Sequence, residues 1–264
     1  MIFYFSGTGN TKWAALYLAD TTHEQLYYIP DELSTSCQYE LKEDERIGFV
    51  FPVHGWRPPT LIRKFIERLT VNATSQINSE EAKQPYVYAV CTAGDTIGET
   101  IDILKKDLAK RNIILQSAFS LIMPESYVGL PLMDVENKDN ERRKIEESKK
   151  LLKEFSNAIL QKEEGLQKLT IGKWPKINSR LIGSFFVKYL ITDKPFRVES
   201  SRCVKCGICA DVCPVHDIIG GLGYEPQWKH DGSCLTCFTC YHHCPHHAIE
   251  FGNQTKHKGQ YFYK

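Results

Sequence analysis

Over the first two-thirds of the chain, short apolar runs alternate with longer amphipathic stretches, and glycine- or hydroxyl-rich turns separate them. Met1 to Phe5 is a short apolar and aromatic run of strand type. Further strands are predicted near Gln25 to Ile29, Arg46 to Phe51, Tyr86 to Cys91 and Ile113 to Ile122. Helical spacing begins at Trp13, Ala14, Leu16, Tyr17 and Leu18, and recurs near Pro59 to Leu69, Ile97 to Arg111 and Asp139 to Gln161. Strand and helix in alternation predict an α/β fold with a doubly wound, parallel, five-stranded sheet in the order 2-1-3-4-5. In such a sheet a ligand lies beyond the carboxyl ends of the strands, at the switch between strands 1 and 3. The rim loops are then Ser6 to Thr11, Pro52 to Pro59, Thr92 to Thr96 and Pro124 to Val128.

Asp134 to Lys168 mixes both signs of charge with apolar residues at Ile145, Leu152, Phe155 and Ile159, the pattern of an exposed helix with one buried stripe. Gly165 to Arg197 is different, for it carries Trp174, Phe185, Phe186, Tyr189 and Phe196. A flexible tether would be rich in glycine and serine, so this stretch is expected to pack across a domain junction. The divisions expected are a sheet domain over 1–163, an aromatic-rich connector over 164–196, a small α+β domain over 197–252 and a tail over 253–264. Two domains also suit a chain of 264 residues.

Composition narrows the function. Basic and acidic residues number 33 and 32, a net charge of +1, which carries no polyanion-binding signature, and no nucleic-acid partner is expected. No apolar run approaches the roughly 20 residues of a spanning helix; Leu181 to Ile191 is about half that and contains Lys188. No membrane span is expected. The opening MIFYFSGTGN has no basic n-region, so a cleaved signal is not expected and a cytoplasmic location is.

Eight of the ten cysteines lie between Cys203 and Cys244. They form two copies of one spacing, C-x2-C-x2-C-x3-C-P: Cys203, Cys206, Cys209 and Cys213, then Cys234, Cys237, Cys240 and Cys244. Three thiolates so spaced can wrap one face of a cubane cluster. Zinc also takes four thiolates, but a tetrahedral zinc site leaves the third cysteine and the repeated Cys-Pro without a role. The runs resemble those of bacterial two-cluster ferredoxins, in which the fourth cysteine ligates the partner cluster. That resemblance implies one [4Fe-4S] cluster on Cys203, Cys206, Cys209 and Cys244, and a second on Cys234, Cys237, Cys240 and Cys213. Cys37 and Cys91 are spare, and His242, His243, His246 and His247 are expected as exposed helix residues.

The first rim loop follows a strand and precedes a helix, which is a phosphate-binding arrangement. It matches neither a Walker loop nor G-x-G-x-x-G, since Lys12 stands where the third glycine belongs. Ser6, Thr8, Gly9 and Thr11 do match the S/T-x-T-G-x-[ST] loop of flavodoxins, with Gly7 and Asn10 between them. Pro52, Val53, His54, Gly55 and Trp56 are candidate flavin-ring contacts, Gly55 for its permissive backbone and His54 and Trp56 for their side chains. Thr92, Ala93, Gly94 and Asp95 are candidates for the pyrimidine edge. Flavodoxins typically place an aromatic residue after strand 4; this segment has none, so one ring face is either open or covered by another part of the chain.

The chain resembles the flavodoxin-ferredoxin fusion proteins of anaerobic bacteria and archaea, through Tyr4 to Thr11, Phe51 to Pro59, Cys91 to Gly94, Met123 to Tyr127 and the cysteine runs. The resemblance implies a flavodoxin-like domain binding FMN, joined to two [4Fe-4S] clusters. The expected function is electron relay between clusters and flavin and onward to a redox protein. The alternatives are a flavin-dependent reductase of a small acceptor and a redox-sensing binding module.

Overall fold

A computed structural model of the protein describes residues 1–73 and 84–263; Lys264, the last residue of the expected tail, lies outside the described residues. β1 (Ile2–Tyr4) runs into α1 (Asn10–Thr22), and β2 (Leu26–Tyr28) into the short α2 (Ile29–Glu32). β3 (Gln38–Leu41), β4 (Ile47–Pro52), α3 (Thr60–Arg68) and β5 (Thr70–Ala73) follow. β6 (Val87–Ala93), α4 (Thr100–Ala109), β7 (Ser117–Ile122), α5 (Lys138–Leu160) and β8 (Gln167–Lys168) complete the N-terminal unit.

The main sheet is parallel and six-stranded, in the order β2-β1-β4-β6-β7-β8, where five strands were expected. The sixth comes from the connector: Gln167 and Lys168 pair with Ala118 and Phe119, and the Gly165 N–H donates to the Gln116 carbonyl at 3.0 Å. Both residues of β8 are exposed, so no apolar run marks it. β3 and β5, also unanticipated, form a separate parallel pair. Buried aromatic residues dominate both sides of the main sheet. Phe3, Phe49 and Phe65 pack with Leu61 and Leu104 of α3 and α4, whereas Val50, Tyr88 and Phe119 pack with Leu18 of α1 and Phe155 of α5. Helices on both faces are what a parallel sheet needs to bury its strands.

Beyond β8 the chain winds through wide, π-type turns at Ile177–Ile182 and Phe186–Leu190, on either side of α6 (Gly183–Phe185). The C-terminal unit opens with β9 (Phe196–Val198), which pairs antiparallel with β12 (Ile249–Phe251) near the end of the chain. Between them lie α7 (Ile208–Asp211), the hairpin of β10 (Ile218–Gly221) and β11 (Tyr224–Trp228), and α8 (Thr239–His242). Its core is Phe196, Trp228, Phe238 and Phe251, with Phe196 stacked on Trp228 at 5.4 Å. The last residues return to the first loop, where the Tyr263 N–H donates to the Thr8 carbonyl at 2.7 Å and the Tyr261 hydroxyl donates to Asn10 Oδ1 at 2.6 Å.

Candidate functional site

A cavity of about 350 Å³ lies beyond the carboxyl ends of β1, β4, β6 and β7, within the range of small-molecule sites. Ser6, Gly7, Thr8, Asn10 and Thr11 line it, together with Pro52 to Trp56 and Thr92 to Asp95. Gly9 alone among the expected contacts does not. It turns the chain at φ 96° and faces the tail, where an added Cβ would stand 2.5 Å from the Tyr263 carbonyl oxygen.

The first loop is held from the neighbouring rim. Thr11 shares a 2.7 Å hydrogen bond with Thr92, Thr8 Oγ1 donates to Ser126 Oγ at 3.1 Å, and Asn10 Nδ2 donates to the Pro124 carbonyl at 3.1 Å. No acidic residue stands in the first turn of the 13-residue α1, so the positive end of its dipole and its unpaired N–H groups meet no competing carboxylate there. The donor set suits a phosphate ester, which a helix N-terminus holds without a dedicated cation.

At the opposite rim, His54 and Arg57 exchange N–H···O bonds of 3.0 and 3.2 Å around Gly55 and Trp56, both left-handed at φ 56° and 58°. Two positive φ values make a type I′ turn, which glycine adopts freely and tryptophan does not. Trp56 is held there by its Nε1–H donating to Thr96 Oγ1 at 3.1 Å, and by Ser179 Oγ donating to its carbonyl at 2.9 Å. Burial lowers the His54 pKa to about 4, so the ring is neutral at ordinary pH. Glu125, which sequence reasoning did not single out, shares the cavity wall. Burial raises its carboxyl above the usual range although the Ser126 and Tyr127 N–H groups donate to it at 2.8 and 2.7 Å.

The cover is the connector. Ile182, Phe185, Phe186 and Leu190 line the cavity and supply aromatic residues that the segment after β6 lacks. An added Cβ on Gly55 would stand 2.8 Å from the Phe186 ring, and one on Gly183 would run into the Gly55 carbonyl, so two glycines let helix and turn meet. Arg57 Nη1 donates to the Ser179 carbonyl and to Ser184 Oγ, both at 2.9 Å. The signal in the sequence was the aromatic content of the connector, with Phe185 and Phe186 among the residues expected to pack across the junction.

Part of the wall belongs to the cysteine unit, through Leu235, Thr236 and Cys237, beside Tyr127, Leu130 and Met133. Gly7 fits against it so closely that an added Cβ would be 3.1 Å from Thr239 Oγ1 and 3.3 Å from Cys237 Cβ.

The eight clustered cysteines gather into two sets, each crossing the repeat. Cys203, Cys206, Cys209 and Cys244 surround one small pocket. Burial pushes the Cys209 thiol up to about 11, and the other three members of that set add to the shift. Burial likewise raises Cys234 and Cys240, with Cys237 and Cys213 among the neighbours that contribute to both. The fourth cysteines are treated alike: the Asp217 N–H donates to Cys213 Sγ at 3.3 Å, and the Ala248 N–H to Cys244 Sγ at 3.2 Å. Among the described residues, no three His, Cys, Asp or Glu side chains form a group that could hold a single metal ion. Eight thiols in two quartets are a donor set that fits four-iron clusters.

His242 corrects the expectation that the four histidines are exposed, for it is fully buried. Its Nε2–H donates to the Ser126 carbonyl at 2.6 Å while Nδ1 accepts from the Tyr261 N–H at 3.1 Å. Burial lowers its pKa to about 4, and the neutral ring ties the cysteine unit to the cavity rim and the tail. His243 is half-buried and stacks on Phe262 at 4.3 Å; His246 and His247 are exposed.

No curated protein and no solved structure matches the chain. Residues 196–245 match the family model described as a 4Fe-4S dicluster domain, which supports cluster binding and an iron-sulfur electron-transfer role for the C-terminal unit.

Proposed function

We propose that the protein relays low-potential electrons between two [4Fe-4S] clusters and an FMN in the cavity, and exchanges them with a redox partner. The observation that carries this reading is the double position of Cys237, which belongs to the second cysteine set and also lines the cavity. Electrons leaving that set need cross no further protein layer to reach the cavity.

In this reading the domains are those expected: a flavodoxin-like unit over 1–163, the connector over 164–196, the ferredoxin-like unit over 197–252 and the tail. The order β2-β1-β4-β6-β7 within the main sheet supports the flavodoxin-like assignment, with β8 an added edge. Cys203, Cys206, Cys209 and Cys244 hold one cluster; Cys234, Cys237, Cys240 and Cys213 hold the other. The Ser6 to Thr11 loop and the α1 N-terminus bind the phosphate. The turn at His54 to Trp56 and the segment Thr92 to Asp95 position the ring, and Phe185 and Phe186 exclude water from its face. FMN, when bound, supplies exchange between single electrons and pairs, whereas each cluster carries one electron.

Glu125 supports a second reading, reduction of a small acceptor in the same cavity. A carboxyl lifted by burial can deliver a proton, which a pure carrier does not require. Iron, sulfide and flavin analysis of protein purified without oxygen tests the main reading. The expectation is about eight iron per chain from two four-iron clusters and one FMN; iron at that level with no flavin, purified or reconstituted, contradicts it. Turnover with a panel of small acceptors separates the two readings, since a carrier gives only slow, unsaturable oxidation.

A further inference from the structure

The helical connector has two unlike sides. Ser179 and Gly183 are buried against the His54–Arg57 turn, and Phe186 faces the cavity. On the other side Trp174, Leu181, Phe185 and Tyr189 are 70, 69, 56 and 56 % exposed, with Ile177 between them. A strict spacing of four residues stays in line only if the winding lies between 3.6 residues per turn and the wider π turn. The mixed turns of Ile177–Leu190 supply such a winding. The result is an exposed apolar stripe about 18 Å long from Ile177 to Tyr189, at ~1.5 Å per residue, which forms a ridge of side chains along the connector.

Its charge is as one-sided as its hydropathy. Residues 165–192 hold Lys168, Lys173, Lys176, Arg180 and Lys188 and not one Asp or Glu, in a chain whose net charge is +1. Arg180 pairs with Glu99 and Lys168 with Glu154. Lys173, Lys176 and Lys188 stand outside every direct ion pair among the described residues. The Lys188 ammonium lies over the Tyr189 ring at 5.0 Å, near one end of the ridge.

We infer that this ridge seats the protein on an anionic membrane surface. Exposed Trp, Leu, Phe and Tyr beside unpaired lysines are the composition of a helix lying in the plane of the interface, where apolar side chains enter the headgroup boundary and cations meet anionic lipid. Aromatic residues near both ends, Trp174 and Tyr189, suit headgroup depth. No helix of the described residues is long and apolar enough to cross a membrane, so the association is peripheral. Because Ile182 and Phe185 line the cavity as well, seating turns the cavity's cover toward the lipid.

Flotation of the full chain with vesicles tests the inference and requires no electron transfer, so its failure would leave the proposed relay untouched. Binding is expected to vesicles of phosphatidylcholine with one-quarter phosphatidylglycerol, with release by salt and little binding to phosphatidylcholine alone. Lys173→Gln/Lys176→Gln is expected to weaken binding by about 30-fold, at roughly fivefold per basic residue. Leu181→Glu is expected to abolish it while leaving iron content and the circular dichroism spectrum unchanged. The inference is overturned if no vesicle is bound, or if both variants bind like the parent chain. It is likewise overturned if Leu181→Glu instead dissociates a dimer of this chain, or if an acidic redox protein binds through Leu181 while vesicles do not.

Discussion

The two cysteine sets repeat one spacing and occupy unlike ground. The set of Cys203, Cys206, Cys209 and Cys244 lies beneath an outer surface that includes Lys205 and the exposed Val204 and Tyr224. The set of Cys234, Cys237, Cys240 and Cys213 borders the cavity, with the buried Asp217 beside Cys234 and the Thr239 hydroxyl 3.1 Å from Cys237 Sγ. Burial and hydrogen bonds to sulfur tune cluster potential. In the proposed relay, one ligand pattern placed in two environments gives two unequal centres, the outer suited to exchange with a partner and the inner to exchange with the cavity.

Loss of one ligand is the largest test of that inequality. Cys237→Ser is expected to remove the inner cluster, about four of eight iron, and to cut cluster-to-flavin transfer by at least about 100-fold. Cys206→Ser is expected to lose similar iron while the cavity keeps its flavin. Equal effects of the two variants on flavin reduction would erase the distinction between inner and outer sets.

Next comes the seam between the units. Gly7→Val places two methyl groups where Thr239 Oγ1 and Cys237 Cβ already stand within 3.3 Å of a Cβ. The expectation is flavin affinity weaker by tenfold or more, with the outer cysteine set undisturbed, read by fluorescence titration and iron analysis. Unchanged affinity would mean the seam does not shape the cavity.

On the cavity side, acid should weaken the fold through His54. Its folded pKa of about 4 lies below the ordinary 6.5, so between those values the unfolded chain binds a proton that the folded chain refuses. Stability is fully present above about pH 6.5 and falls toward pH 4, by roughly 1–2 kcal/mol after allowance for cavity water. Denaturant unfolding across that range should show this loss, and His54→Gln should reduce it, leaving the share of His242, whose pKa burial lowers to the same value. The smallest effect is expected from Thr239→Val, which removes one hydrogen bond to sulfur. The inner cluster's potential should fall by roughly 40 mV or less, as about 1 kcal/mol for a one-electron couple, with the outer potential unmoved in the same redox titration.

How far the sequence foretold this molecule depends on how local each feature is. Three cysteines three residues apart are read from seven residues, and the strand, glycine loop and helix around Ser6 to Thr11 from about twenty. Chemistry confined to a short stretch leaves its own spacing. β8 leaves none, because two exposed residues gain their place only from the β7 edge. His242 is buried by partners 116 and 19 residues away, Ser126 and Tyr261, so its neighbours in sequence could not reveal its role. The cavity's cover fell between these cases: its aromatic residues were visible, but the glycine contact that seats it joins Gly183 to a turn at Gly55.

In the proposed relay, charge passes between the cysteine unit and the cavity through the wall at Cys237. Its most direct test is reduction of the flavin-loaded, iron-replete chain by limiting dithionite without oxygen, with cluster and flavin absorption followed together. Flavin absorption is expected to be lost as electrons enter the clusters, and Cys237→Ser to slow this loss by at least about 100-fold. Clusters that become fully reduced beside a flavin that stays oxidised would contradict it.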